Sequence, residues 1–344
     1  VETSCDETSV AVVRGGREVL SNIVSSQIAL HAEFGGVVPE IASRQHVKAI
    51  NEVTHLALAE AAVAMREIDL IAATRGPGLA GALLVGLNFA RGLGLGLGMP
   101  VVPVNHLEGH LHSVWLSRES PPPPAPALPM LALIVSGGHT ELVLMRDHGH
   151  YEVLGRTLDD AAGEAFDKVA RILGLPYPGG PAIQAAAKGA DAPVRLPRAW
   201  LPGTFHFSFS GLKTAVLHMA FDMSGASDLT ALRGTPLPRI DIAERLTAEQ
   251  IANIAAGFQD SVVDVLVRKT IGAAESVGAR SIAVVGGVAA NRALRERMHE
   301  SVPLPLFLSA PEFSTDNAAM IAAAGFYVPS SVALDVEPGL QLSG

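Results

Sequence analysis

Residues 131–145 read Leu131-Ala132-Leu133-Ile134-Val135-Ser136-Gly137-Gly138-His139-Thr140-Glu141-Leu142-Val143-Leu144-Met145. An apolar run, a Gly-Gly turn and a second apolar run predict strand, tight turn, strand. The same pattern stands near the chain start. There the polar stretch Glu2-Thr3-Ser4-Cys5-Asp6-Glu7-Thr8 leads into an apolar strand at Val10 to Val13, a turn at Gly15-Gly16 and a return through Val19 to Val24. The polar stretch reads as the loop after an incomplete first strand. A second unit also recurs. Ile68 to Ala73 reads as a buried strand, followed by Arg75-Gly76-Pro77-Gly78 and a helix from about Gly81. Ile282 to Val285 is followed by Gly286-Gly287 and a helix from Asn291. Hairpins followed by a strand–helix step, twice over, predict an α/β chain of two related lobes. A doubled fold of this kind places its ligand in the cleft between them.

The bulk properties set limits. The 344 residues are enough for about two domains. A hydrophobic share of 49% with only 17% charged residues excludes a disordered chain. It also leaves helix faces for a partner to cover, above all the nearly all-apolar half, Leu56 to Ala64, of a helix expected over Pro39 to Met65. A formal charge of −9 excludes a whole-surface basic footprint for nucleic acid, so RNA contact needs a local patch or a partner. The single cysteine, Cys5, excludes an intramolecular disulfide and fits the cytoplasm. Apolar runs are broken by Gly, Pro or charge before they reach the length of a membrane span, so no membrane is expected.

The chemistry centres on His106-Leu107-Glu108-Gly109-His110. Two imidazoles four residues apart share one helix face and can hold a metal ion with positions left open. Two histidines on a partly exposed helix would look the same. Glu108 falls about 200° around the helix from His106, away from that face, which argues against the H-E-x-x-H zinc peptidases. Asp6 and Glu7 are adjacent carboxylates able to bind a cation, to act as a base, or simply to form a solvated turn. Ser210-Gly211-Leu212-Lys213 matches S-x-x-K without the companion motifs of penicillin-recognising enzymes, so Ser210 is expected as a helix N-cap. Asp316 reads either as an N-cap or as a carboxylate facing a cleft. His46 and His55 read as ordinary helix residues. Met223 to Gln250 reads as an excursion, and Ser330 to Gly344 as a strand with a frayed end.

A set of blocks, in order over nearly the whole chain, resembles the TsaD family of tRNA N6-adenosine threonylcarbamoyltransferases. They are Glu2 to Thr8, Gly76-Pro77-Gly78, His106 to His110, Val135 to Thr140, Gly163-Glu164-Ala165-Phe166-Asp167-Lys168, Tyr177-Pro178-Gly179-Gly180-Pro181, Phe207 to Lys213, Gly286 to Asn291 and Ser314 to Ala319. The resemblance implies a two-lobed, duplicated actin-like ATPase fold, as in actin, sugar kinases and heat-shock chaperones. It implies a first lobe of residues 1–115 with about 322–344, a Pro-rich connection over 116–129, and a second lobe over 130–321. It implies transfer of a threonylcarbamoyl group from threonylcarbamoyl-adenylate to the adenosine beside the anticodon, in tRNAs reading codons that begin with A. One divalent metal, iron or zinc, is implied on His106, His110 and Asp316. An adenylate- or ATP-type ligand is implied at Ile134, Val135, Ser136, Gly137, Gly138, Asp167, Gly180 and Asn291. A paralogous TsaB-like partner and a TsaE-like ATPase are implied as well. Asp6 and Glu7 are the carboxylates considered for catalysis. The rival classes are an ATP-dependent kinase or chaperone-like ATPase of the same fold, and a metallopeptidase.

Overall fold

β5 (Met130–Val135) is wholly buried, and its side chains alternate between two cores. Leu131, Leu133 and Val135 face one, Ala132 and Ile134 the other. That two-sided burial is what a central strand demands. β5 lies in the middle of a five-stranded sheet ordered β7-β6-β5-β8-β9. The computed structural model describes residues 1–225, 242–327 and 334–342.

In chain order, β1 (Glu7–Arg14) and β2 (Glu18–Ser26) form the first hairpin, followed by α1 (Ile28–Ala32) and α2 (Pro39–Ala61). Glu7 is therefore a strand residue, not a loop residue. α2 starts with Pro39 in its first turn and stops where Ala62 turns left-handed, short of the expected Met65. β3 (Ile71–Gly76), α3 (Ala80–Leu97), β4 (Val101–Asn105) and α4 (His106–His112) come next. β3 and β4 pair in parallel. Val1 and Glu2 bridge the two small sheets: the Val1 amine donates to Ala72 O, Thr74 N to Val1 O, and Glu2 and Ser9 exchange backbone bonds.

α3 corrects the expectation about membrane-length runs. Gly92, Gly94 and Gly96 are helical, so by length and composition this helix could cross a membrane. In this fold it packs on α2 and β3, burying Leu83, Gly86, Leu87 and Ala90. A Cβ on Gly94 would sit 2.4 Å from Val101 Cγ2, so close packing explains this glycine, whereas Cβ atoms on Gly92 and Gly96 would meet nothing within 4 Å.

After the Pro-rich connection come β5, β6 (Thr140–Asp147) and β7 (His150–Arg156), the last not foreseen. α5 (Ala162–Ile172), α6 (Gly179–Ala187), α7 (Ser210–Met223), α8 (Ile242–Arg245) and the long α9 (Ala248–Val277) follow. β8 (Ser281–Val285), α10 (Arg292–Ser301), β9 (Leu306–Leu308), α11 (Pro311–Ser314) and α12 (Ala318–Tyr327) complete the order. Part of the expected excursion, residues 226–241, lies outside the described residues. So do 328–333 and 343–344 of the tail. Residues 334–342 contain no strand, contrary to expectation. They lie along the end of β3 and the loop after it, where Glu337 N donates to Arg75 O and Gly78 N to Pro338 O, and reach Arg156 through Gln341.

α4 joins the halves. It has seven residues, too few to be stable alone. Leu107 and Leu111 are buried against the five-stranded sheet, and each such burial contributes about 1.5–3 kcal/mol. α12 packs on its other side and against β1 and β3. The imidazoles of α4 are thus held between the two sheet systems.

Candidate metal centre

Asn105 caps α4: its side-chain oxygen accepts from Leu107 N at 2.9 Å. His106 and His110 then fall one turn apart. Their ring centroids are 4.7 Å apart and nearly perpendicular. Asp316 arrives from the loop before α12. Its Oδ1 lies 3.2 Å from His110 Nε2 and 3.5 Å from His106 Nε2. One ligand atom from each of the three residues lies within 4.8 Å of the others. Asp316 does not cap α12. Asn317 takes that role, accepting from Met320 N at 3.1 Å, so the neighbouring carboxylate is released to the histidines.

Charge and burial compete here. Burial opposes charge on His106, but the Asp316 and Glu2 carboxylates outweigh it and hold the imidazole well above its usual range. Burial keeps His110 below its usual range, and among the described residues neither of its ring nitrogens has a hydrogen-bond partner. Its Nε2 is near Asp316 but out of line for a hydrogen bond. Two imidazoles and one carboxylate, one imidazole buried without partners, fit a divalent transition metal. Glu108 stays outside the cluster, as its spacing predicted. Burial raises its carboxyl to about 7.

Asp6 and Glu7 lie close by and are both buried. Glu7 accepts from Ser26 Oγ at 3.0 Å. Burial, then the Asp316 and Asp6 carboxylates, push its carboxyl up to about 9. Burial and the neighbouring carboxylates thus favour its protonated form over the carboxylate.

The Ser136-Gly137-Gly138 turn is open. Cβ atoms placed on Gly137 or Gly138 would meet nothing within 4 Å. Ser136 N is occupied by His139 O, so the two glycine amides are the donors left to a ligand. The α5 N-terminus abuts this turn, where a Cβ on Gly163 would sit 2.6 Å from Ser136 O. Helix dipole and open glycine amides together favour an anion. Burial, then the charges of His106 and His110, lower the His139 imidazole to about 4. Ile134 and Val135 do not face the cleft. Both side chains are in the cores, so these residues position the turn without touching a ligand through their side chains. Asp167 accepts from Gly179 N at 2.7 Å, and burial raises its carboxyl. Gly180 is open. Asn291 caps α10 through Leu294 N and donates to Gln259 Oε1 at 2.9 Å. Ser210 is the first residue of α7 and not its N-cap. Its Oγ accepts from Asp160 N, because Asp159 already holds the Ser208 hydroxyl and the Phe209 and Ser210 amides.

Sequence reasoning missed two buried residues. Glu2 is fully buried with its Oε2 3.0 Å from His106 Nδ1. His46 is fully buried too, taking a hydrogen bond from Thr8 Oγ1 at 2.8 Å and donating to Cys5 O at 3.0 Å. His55 is an exposed residue of α2. An apolar cavity of about 630 Å³ opens between β1 and β3, lined by Val10, Val12, Ile71 and Phe89. It holds none of the residues above and plays no part in the site.

A sequence model of tRNA N6-adenosine threonylcarbamoyltransferase, TsaD, matches residues 18–323. The chain belongs to the TsaD family. An enzyme of that name from Thermomicrobium roseum is 53% identical over 99% of this chain and 96% of its own length. One from Dehalococcoides mccartyi is 46% identical over 100% and 98%. Among solved structures, HypF of T. kodakarensis superposes with a TM-score of 0.56 at 15% identity, covering 81% of this chain and 43% of HypF. Full-length HypF in its phosphate- and nucleotide-bound form gives 0.54 at 11%, covering 95% and 54%. At that identity the likeness concerns the fold, which is the actin-like ATPase type. This family member is accordingly an acyltransferase that modifies tRNA.

Proposed function

We propose that the chain transfers a threonylcarbamoyl group from threonylcarbamoyl-adenylate to N6 of the adenosine beside the anticodon, in tRNAs reading codons that begin with A. The observation that carries the chemistry is the convergence of His106, His110 and Asp316 beside an open Gly-Gly turn. The donor is a mixed anhydride and already activated. The acceptor amine is weak, because its lone pair is delocalised into the ring. Positioning and charge stabilisation are therefore the main tasks. Gly137 and Gly138 amides with the α5 N-terminus hold the phosphate. Asp167, Gly180 and Asn291 border the nucleoside. N6 attacks the carbonyl carbon, a C–N bond forms, and the bond to the AMP oxygen breaks. Asp6 takes the amine proton, because burial and neighbouring carboxylates favour the protonated form of Glu7. A divalent metal, iron or zinc, held by His106, His110 and Asp316, supplies Lewis-acid stabilisation of donor oxygens when bound.

The lobes we assign are residues 1–115 with 322–344, and 130–321, joined by 116–129. Val47 and Leu56 on α2 and Leu84 and Leu95 on α3 are exposed apolar side chains. That surface suits a TsaB-like partner, and a TsaE-like ATPase would complete the machinery. The reaction belongs in the cytoplasm, with the tRNA.

The test supplies purified chain, adenylate and tRNA, with and without the TsaB- and TsaE-like proteins, and analyses tRNA nucleosides. Threonylcarbamoyladenosine should form. ATP turnover without modified tRNA would favour the kinase-like reading, and cleavage of a protein substrate the peptidase reading. Elemental analysis of the same protein identifies the metal.

A further inference from the structure

We infer that Glu2 is a positioning residue for the metal centre: it selects the ring nitrogen that His106 presents to the ion. The inference rests on the metal reading above. Glu2 is fully buried, and three donors converge on it. Thr74 Oγ1 donates to Oε2 at 2.7 Å, Ser4 N donates to Oε1, and His106 Nδ1 lies 3.0 Å from Oε2. Ser4 Oγ stands 3.2 Å from the same ring nitrogen. Both oxygens of Glu2 already accept, from Ser4 N and Thr74 Oγ1, so the carboxyl group meets the ring as an acceptor and the hydrogen between Glu2 and His106 is on Nδ1.

The consequence follows from imidazole chemistry. A neutral ring with its hydrogen on Nδ1 has its lone pair on Nε2. Nε2 is the nitrogen that faces Asp316, at 3.5 Å. Without Glu2 the ring is free to take the other tautomer, or to rotate, and either change removes the lone pair from the cluster. A carboxylate behind a ligating imidazole also makes it a stronger donor. His110 has no such backing, because its Nδ1 has no hydrogen-bond partner among the described residues. The two histidines are therefore unequal: His106 is the oriented ligand and His110 the less constrained one.

Glu2 also ties the centre to the sheets. It precedes β1, Thr74 belongs to β3, and His106 opens α4. One carboxylate thus connects three segments, and the metal site is complete only when β3 holds its register beside Val1 and Glu2.

The test uses the full chain loaded with Zn(II), with affinity measured by chelator competition. The His106 Nδ1 hydrogen is followed by NMR on ¹⁵N-histidine-labelled protein. Glu2→Ala should weaken Zn(II) binding about 10–100-fold and abolish slow exchange of that hydrogen. Glu2→Gln retains an acceptor and should stay within about fivefold, keeping the slow exchange. Thr74→Val leaves Glu2 in place but less restrained, and should fall between them. It also covers the case in which Glu2→Ala does not fold. Zn(II) binding by Glu2→Ala or Thr74→Val at wild-type strength, or slow exchange persisting in Glu2→Ala, would overturn the inference alone. A wild-type chain that takes up no Zn(II) would overturn the metal reading, and this inference with it.

Discussion

The Oδ1 atom of Asp316 lies 3.2 Å from Nε2 of His110, although His110 is on α4 and Asp316 is in the loop before α12, more than two hundred residues later. The contact exists because Asn317, not Asp316, satisfies the first turn of α12.

If that cluster holds the metal, removing a donor removes the ion. His110→Ala should lower bound metal by at least about tenfold, and transfer to tRNA should fall with it. Elemental analysis and nucleoside assay on one preparation check both. Full activity without metal would remove the metal from the chemistry.

Asn317→Ala removes the cap and should cost about 1 kcal/mol of stability. The larger effect should fall on the neighbour. Ser9 and Asn22 still accept from Ala318 N and Ala319 N, but Met320 N loses its partner; Asp316, one residue away, can turn toward it, and metal affinity should drop. Chemical denaturation and chelator competition separate the two effects.

Gly163→Ala puts a methyl 2.6 Å from Ser136 O and 2.8 Å from Gly137 Cα, both backbone atoms. The turn has to shift, at a cost of about 1–3 kcal/mol. The KM for the adenylate should rise while bound metal stays unchanged. An unaltered KM would show that the turn does not hold the phosphate.

Burial holds His46 below its usual value of 6.5. As pH falls through 6.5, the unfolded chain takes up this proton before the folded one. Stability is therefore present above that pH and lost below it. The denaturation midpoint should decline from pH 7.5 to 5.5, and less so in His46→Asn. Equal slopes in the two proteins would contradict the assignment.

What was readable from the sequence is what local spacing controls. The hairpins, the two strand–helix steps, the i, i+4 histidines and the outward position of Glu108 follow from backbone periodicity and turn chemistry alone. The repetition of hairpins and strand–helix steps gave the doubled fold, and the family blocks extended that to the actin-like type. Tertiary structure decided the rest. Asp316 and Asn317 are equally good caps by type, and only packing of α12 against β1 and α4 determines which one turns to the histidines. Glu2 and His46 look like solvated polar residues, because their partners Thr74, His106, Thr8 and Cys5 are on other segments. A buried polar group is stable only when its hydrogen bonds are met, and the residues that meet them are brought together by the fold, not by neighbourhood in the chain.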